Sequence, residues 1–185
     1  AYKSDNWIVE NCVSTDDDDA IHTDAGSTAS NAIIRYNRIY NAKPGSSAIG
    51  VGSLAAGATI KVYYNLIVNA SGEAFSSYSM NNGSVLVYNN TMYLDKVSGT
   101  NGVVYLEHGS NFVFKNNIIV RDGSNLKTLF AVLSTDFPIS NYNQFYQSNA
   151  GPSSFRTFYK GSYYTALAAW TKVTSQDTKS QVGDP

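Results

Sequence analysis

Four carboxylates stand in a row at Asp16, Asp17, Asp18 and Asp19, and the imidazole of His22 follows three residues later. Adjacent carboxylates repel one another unless a proton or a cation relieves them. A flexible loop rich in oxygen ligands is also what a hard cation such as Ca²⁺ prefers. Three chemistries therefore stand open for this turn: a solvated acidic loop, a calcium site on Asp17, Asp18 and Asp19, or acids for a hydrolysis. The chain has two histidines, His22 and His108, and Glu107 immediately precedes the second. Carboxylate and imidazole together are the groups of general acid-base catalysis. Fourteen tyrosines add flat faces and hydroxyls, which suit contact with ligands that are half apolar and half polar.

The rest of the composition narrows what these groups can serve. The chain has 185 residues, 13 Lys and Arg against 14 Asp and Glu, and a net charge of −1. That length fits one domain of ordinary size. No basic block supplies the electrostatic footprint of nucleic-acid binding. No apolar run reaches the length needed to span a bilayer. The first residues, AYKSDNWIVENC, lack the charged start and apolar stretch of a secretory signal. A single cysteine, Cys12, excludes an internal disulfide framework. Only 15% of residues are charged, so polarity comes mainly from Asn, Ser, Thr and Tyr. Such a composition points to a β-rich, extracellular protein.

The elements that must position the reactive groups come from a repeat. Asn11, Asn37, Asn65, Asn90, Asn117 and Asn143 each follow an alternating apolar run and precede an apolar residue by two positions. The intervals are 26, 28, 25, 27 and 26 residues, a mean of 26.4. A second short strand follows each asparagine, then a variable turn, then a third strand (AIHT, AIGV, AFSSY, VVYLEH, TLFAV). Three strands per period with no helical pattern between them describe the coil of a parallel β-solenoid. The expectation is an all-β parallel β-helix of about six rungs. Asparagine suits the left-handed backbone of a tight bend, and its amide can bond to the amide of the next rung in a ladder. Ile34, Val62, Val87 and Phe114 should form one inward column.

In the tail, LAAWTKVTSQDTKSQVGDP, Thr165 can cap a short helix whose Leu167, Trp170 and Val173 share a face and close the end of the solenoid. The expected division is residues 1–160 as β-helix and 161–185 as cap and tail. The first rung has no such cover, so contact with another chain, or with further residues of its own, is expected there. On the repeat and on the tail's Leu167, Trp170, Gln176, Asp177, Ser180, Asp184 and Pro185, the chain resembles the right-handed parallel β-helices of the pectate-lyase-like superfamily, over about residues 6–147.

The resemblance implies a secreted, carbohydrate-active protein with its groove along the third strands and the loops feeding them. If Ile21, Ile49, Phe75, Val104 and Phe130 point inward, one outward row is His22, Gly50, Ser76, Tyr105 and Ala131. The next is Asp24, Gly52, Tyr78, Glu107 and Leu133. Expected substrate contacts are therefore Asp24, Ser76, Tyr78 and Tyr105, with aromatic faces for sugar rings and polar groups for their hydroxyls. The resemblance also implies lyase chemistry by a basic residue beside calcium, and an acidic pair that holds the ion. Lys43, His22, Glu107 and His108 are the candidates for proton transfer, and Asp17, Asp18 and Asp19 those for the ion. The sequence does not carry the superfamily's catalytic lysine or arginine motif. Polysaccharide binding, polysaccharide cleavage, and a non-catalytic solenoid that stacks into a fibre or larger assembly remain the three functional readings.

Overall fold

The computed structural model describes residues 6–23, 31–52, 54–78, 83–94, 102–107, 111–122, 128–133, 138–148 and 155–185. Its first turn holds β1 (Trp7–Glu10), β2 (Val13–Thr15) and β3 (Ile21–Thr23). The second holds β4 (Ala32–Arg35), β5 (Arg38–Tyr40) and β6 (Ser47–Val51). The third holds β7 (Thr59–Tyr63), β8 (Leu66–Val68) and β9 (Glu73–Ser77). The fourth holds β10 (Ser84–Tyr88), β11 (Thr91–Leu94) and β12 (Val104–Leu106). The fifth holds β13 (Phe112–Lys115), β14 (Ile118–Arg121) and β15 (Phe130–Val132). Then come β16 (Ile139–Asn141), β17 (Gln144–Gln147), β18 (Thr157–Tyr159), β19 (Ser162–Tyr164), α1 (Leu167–Thr174) and β20 (Gln181–Val182).

Every strand pairs in parallel with its counterpart one turn away, save the antiparallel β18–β19 hairpin, so three sheets of six, seven and seven strands wrap one core. The chain is a parallel β-solenoid with one short helix near its C-terminus. The turn count differs from the expected six. About four turns are complete, the second to the fifth, with all three strands paired on both sides. β1, β2 and β3 are sheet edges, and after β18, which still pairs in parallel with β15, the chain folds back into the antiparallel β19 instead of coiling on.

The inward column is as the alternation requires. Ile34, Val62, Val87 and Phe114 are in register and fully buried. Burying each such side chain contributes roughly 2 kcal/mol. The first turn is offset by one residue. Val9, not Ile8, pairs with Ile34, and Cys12, not Asn11, takes the ladder position beside Asn37. Ile8 and Val13 are exposed because they face outward, in register with Ile33 and Arg38.

The ladder itself runs through Asn37, Asn65, Asn90, Asn117 and Asn143, all buried. Each Oδ1 from Asn65 onward accepts from the backbone N–H and the Nδ2 of the preceding asparagine. The left-handed backbone, however, belongs to the residue before: Asn11, Tyr36, Tyr64, Asn89, Asn116 and Tyr142 have φ between 55° and 59°. The ladder asparagines are kept for their amides. The preceding residue makes the bend.

The C-terminal end closes on Asp177, which is 2% exposed. Its Oδ1 accepts from Ser140 Oγ, Asn143 Nδ2 and Ser180 Oγ, and its Oδ2 accepts from the indole of Trp170 at 2.9 Å. Trp170, fully buried, meets the rings of Phe130, Tyr159 and Tyr164. Two expectations for the helix fail. Its N-cap is Ala166 with no side-chain bond, not Thr165. Val173 is 54% exposed, so the covering face is Leu167 and Trp170 alone.

Candidate functional site

The third sheet breaks the simple alternation of a strand. Ala48 with Ile49, Ala74 with Phe75, Val103 with Val104 and Leu129 with Phe130 are consecutive pairs that all belong to the core. The carbonyl of Val103 accepts from both Ala74 N–H (2.9 Å) and Phe75 N–H (3.3 Å), which marks the irregularity. With two neighbours facing inward, the residues before and after each pair both face out. Asp19, Ser47 and Glu73 therefore join the outer face that carries His22, Gly50, Ser76 and Tyr105. Bonds between them support this placement. Ser47 Oγ donates to Ser76 Oγ at 2.6 Å, with Glu73 Oε2 3.3 Å away, and Ser47 N–H donates to Asp19 Oδ1 at 3.0 Å. Glu73, Ser47 and Ser76 are buried, so this floor is a settled polar network rather than a set of open hydroxyls.

Its ends are more open. His22 Nδ1 lies 3.7 Å from Asp19 Oδ2, and the two side chains are 36% and 39% exposed. The imidazole rests on Gly50. A Cβ at that position would come within 2.6 Å of Nδ1 and 3.1 Å of Cε1. Glycine in the second turn is thus what lets the first turn's histidine lie along the sheet. At the other end the rings of Tyr78 and Tyr105 meet at 5.9 Å and 51°. Partial burial raises the pKa of the Tyr105 phenol, and the charges of Glu107 and Glu73 and the neighbouring Tyr78 add to it. At neutral pH this phenol is a hydrogen-bond donor, not a base. Glu107 follows Tyr105 in the chain and is half-buried on the same face.

The acidic turn is taken apart by its neighbours. Asp17 Oδ2 accepts from Ser14 Oγ, Asp18 Oδ1 faces Lys43 Nζ at 3.4 Å, and Asp19 faces His22 and Ser47. Among the described residues no three His, Cys, Asp or Glu side chains gather as a metal would require. Asp17, Asp18 and Asp19 thus each face a different partner and do not form one group. Lys43 belongs to this corner, paired with Asp18, and not to the sheet face.

Of the expected site residues, His22, Ser76, Tyr78, Tyr105 and Glu107 share one outer face. Asp24 and His108 lie outside the described residues. Asp19 as the partner of His22, and Glu73 and Ser47 in the floor, are additions. Their spacings of 28 and 26 residues are those of the repeat itself, a signal already present in the chain. No protein-family model matches this sequence, and neither the search of curated proteins nor that of solved structures returned a match.

Proposed function

We propose that the protein binds an extended extracellular polysaccharide along the outer face of its third sheet. The observation that carries this reading is a single register-aligned face with a different polar or aromatic group on each turn. Asp19 and His22 stand open at one end and Tyr78, Tyr105 and Glu107 at the other, over a buried floor of Ser47, Gly50, Glu73 and Ser76. Four turns at about 4.8 Å each span about 14 Å between the first and the last, the length of a short oligosaccharide. Carboxylates and imidazole take up sugar hydroxyls, and the Tyr78 and Tyr105 rings supply faces for apolar ring carbons.

Binding is favoured over cleavage by the distribution of charge. Elimination beside a uronate needs a base, an acid and a cation that converge on one point. The face supplies a base in His22, beside Asp19, and a protonated donor in Tyr105, but the two stand three turns apart. Lys43 is engaged with Asp18 at 3.4 Å. The deciding experiment is isothermal titration with a panel of polyuronates and neutral glycans, run beside an absorbance assay for unsaturated product with and without chelator. Binding to one class, weakened at least about tenfold in Tyr78→Ala with Tyr105→Ala, is the expected result (about 1.4 kcal/mol). Heat signals from no glycan, with both variants folded, would remove this reading. Product formation that stops in His22→Ala would move it from binding to cleavage.

A further inference from the structure

Arg121 ends β14 and faces the interior of the solenoid. Its register partners are the core residue Leu94 on one side and buried Gln147 on the other. Arg121 is 3% exposed, and its Nε and Nη1 have no hydrogen-bond partner. The ion pairs of His22, Arg35 and Lys43 do not involve its guanidinium. The contrast with Asp177, another buried charge, is sharp: its carboxylate is met by four donors.

An uncompensated charge in a protein interior costs several kcal/mol. Arginine does not escape by losing its proton. Burial lowers its pKa only to about 10, so it stays cationic at neutral pH. Water alone could meet the N–H groups, but it leaves the charge unanswered. The planar guanidinium fork is the side chain best matched to two oxygens of one anion.

We propose that Arg121 anchors a buried site for a small oxyanion, of the carboxylate, phosphate or sulfate class. It lies on the inner side of the second sheet, whereas the proposed glycan face is the outer side of the third. The anion is thus a built-in component of the core and independent of glycan binding. Its expected effect is on stability.

The test uses inorganic phosphate, sulfate and acetate as probes on the intact, exhaustively desalted chain, at constant ionic strength. Equilibrium dialysis with labelled phosphate should find one bound anion per chain. The melting temperature should climb with the logarithm of anion concentration once the site is loaded. Arg121→Met keeps the apolar stem and removes the charge. It should bind no phosphate and melt at a temperature indifferent to the probe, apart from the general salt response. Parallel responses of the two proteins would overturn the proposal. If the variant does not fold, wild-type dialysis decides alone: less than roughly a tenth of an anion per chain, for all three probes at millimolar concentration, overturns it.

Discussion

Two stacks of polar side chains run along this solenoid, and they are built in opposite ways. At the corner between the first and second sheets, the same residue returns on turn after turn. Asn37, Asn65, Asn90, Asn117 and Asn143 are buried, and each satisfies its neighbour. On the outer face of the third sheet no register row repeats a residue from one turn to the next. Asp19 meets a serine N–H, Ser47 meets a serine and a glutamate, and Tyr105 meets a tyrosine. Identical amides close on one another and need nothing from outside. Unlike groups in register leave donors and acceptors over at the two ends, with His22 and Asp19 each more than a third exposed. Repetition therefore marks what holds the coil together, and departure from repetition marks the face on which the proposed glycan contacts lie.

Substitutions can break or sharpen that contrast. The largest effect belongs to the core that both stacks share: Val87→Asp buries an unpaired carboxylate in the middle of the inward column. The loss of several kcal/mol should abolish the cooperative melt, and a transition near that of the wild type would contradict the register. Next comes the ladder. Asn90→Leu removes the acceptor of the Asn65 N–H, one of the three acceptors of Asn65 Nδ2, and the side-chain donor to the carbonyl of Val62. A cost of about 3 kcal/mol is expected in urea denaturation at unchanged slope. Ser76→Ala, equally buried but on the varied face, loses one bond from Ser47 and should cost about 1 kcal/mol. If Ser76→Ala proves as damaging as Asn90→Leu, the distinction between the stacks collapses.

Smaller effects refine it. Tyr142 has φ 59°, and asparagine takes that left-handed bend in other turns. Tyr142→Asn should raise stability by up to about 1 kcal/mol; a loss instead would show that the exposed ring earns its position by contact. The Tyr105 phenol gives the smallest signal. Its pKa is raised in the fold, so its contribution is complete below the usual tyrosine value near 10 and is lost as pH climbs through the higher folded value. Tyr105→Phe should flatten that alkaline decline in a melting series across pH.

The coil was legible because its two signals reinforce each other. Alternation placed Ile34, Val62, Val87 and Phe114, and the asparagines fixed their phase. Phase failed in the first turn, where Asn11 imitates a ladder residue but sits one position early, at the left-handed bend occupied elsewhere by Tyr36 and Tyr64. Alternation failed on the third sheet, where two consecutive inward residues hide the outward turn of Ser47 and Glu73. The support that Gly50 gives His22 depends on a contact between residues 28 apart, and composition carries no trace of it. The orphaned guanidinium of Arg121 was equally silent, because an arginine at a strand end reads as surface until its register with Leu94 is known.

The ladder also has a direction. Asn37 donates to Asn65, Asn65 to Asn90, Asn90 to Asn117, Asn117 to Asn143, and Asn143 to Asp177. All five hydrogen bonds point the same way, so the amide dipoles add along the axis and polarise one another, as in any hydrogen-bonded chain in a low-dielectric interior. Their positive ends face the C-terminal turn. A carboxylate, which accepts and never donates when ionised, is the group that such a terminus attracts. Asp177 is thus the electrical ground of the coil as well as its last hydrogen-bond acceptor. The solenoid is a polar rod whose two ends are not interchangeable.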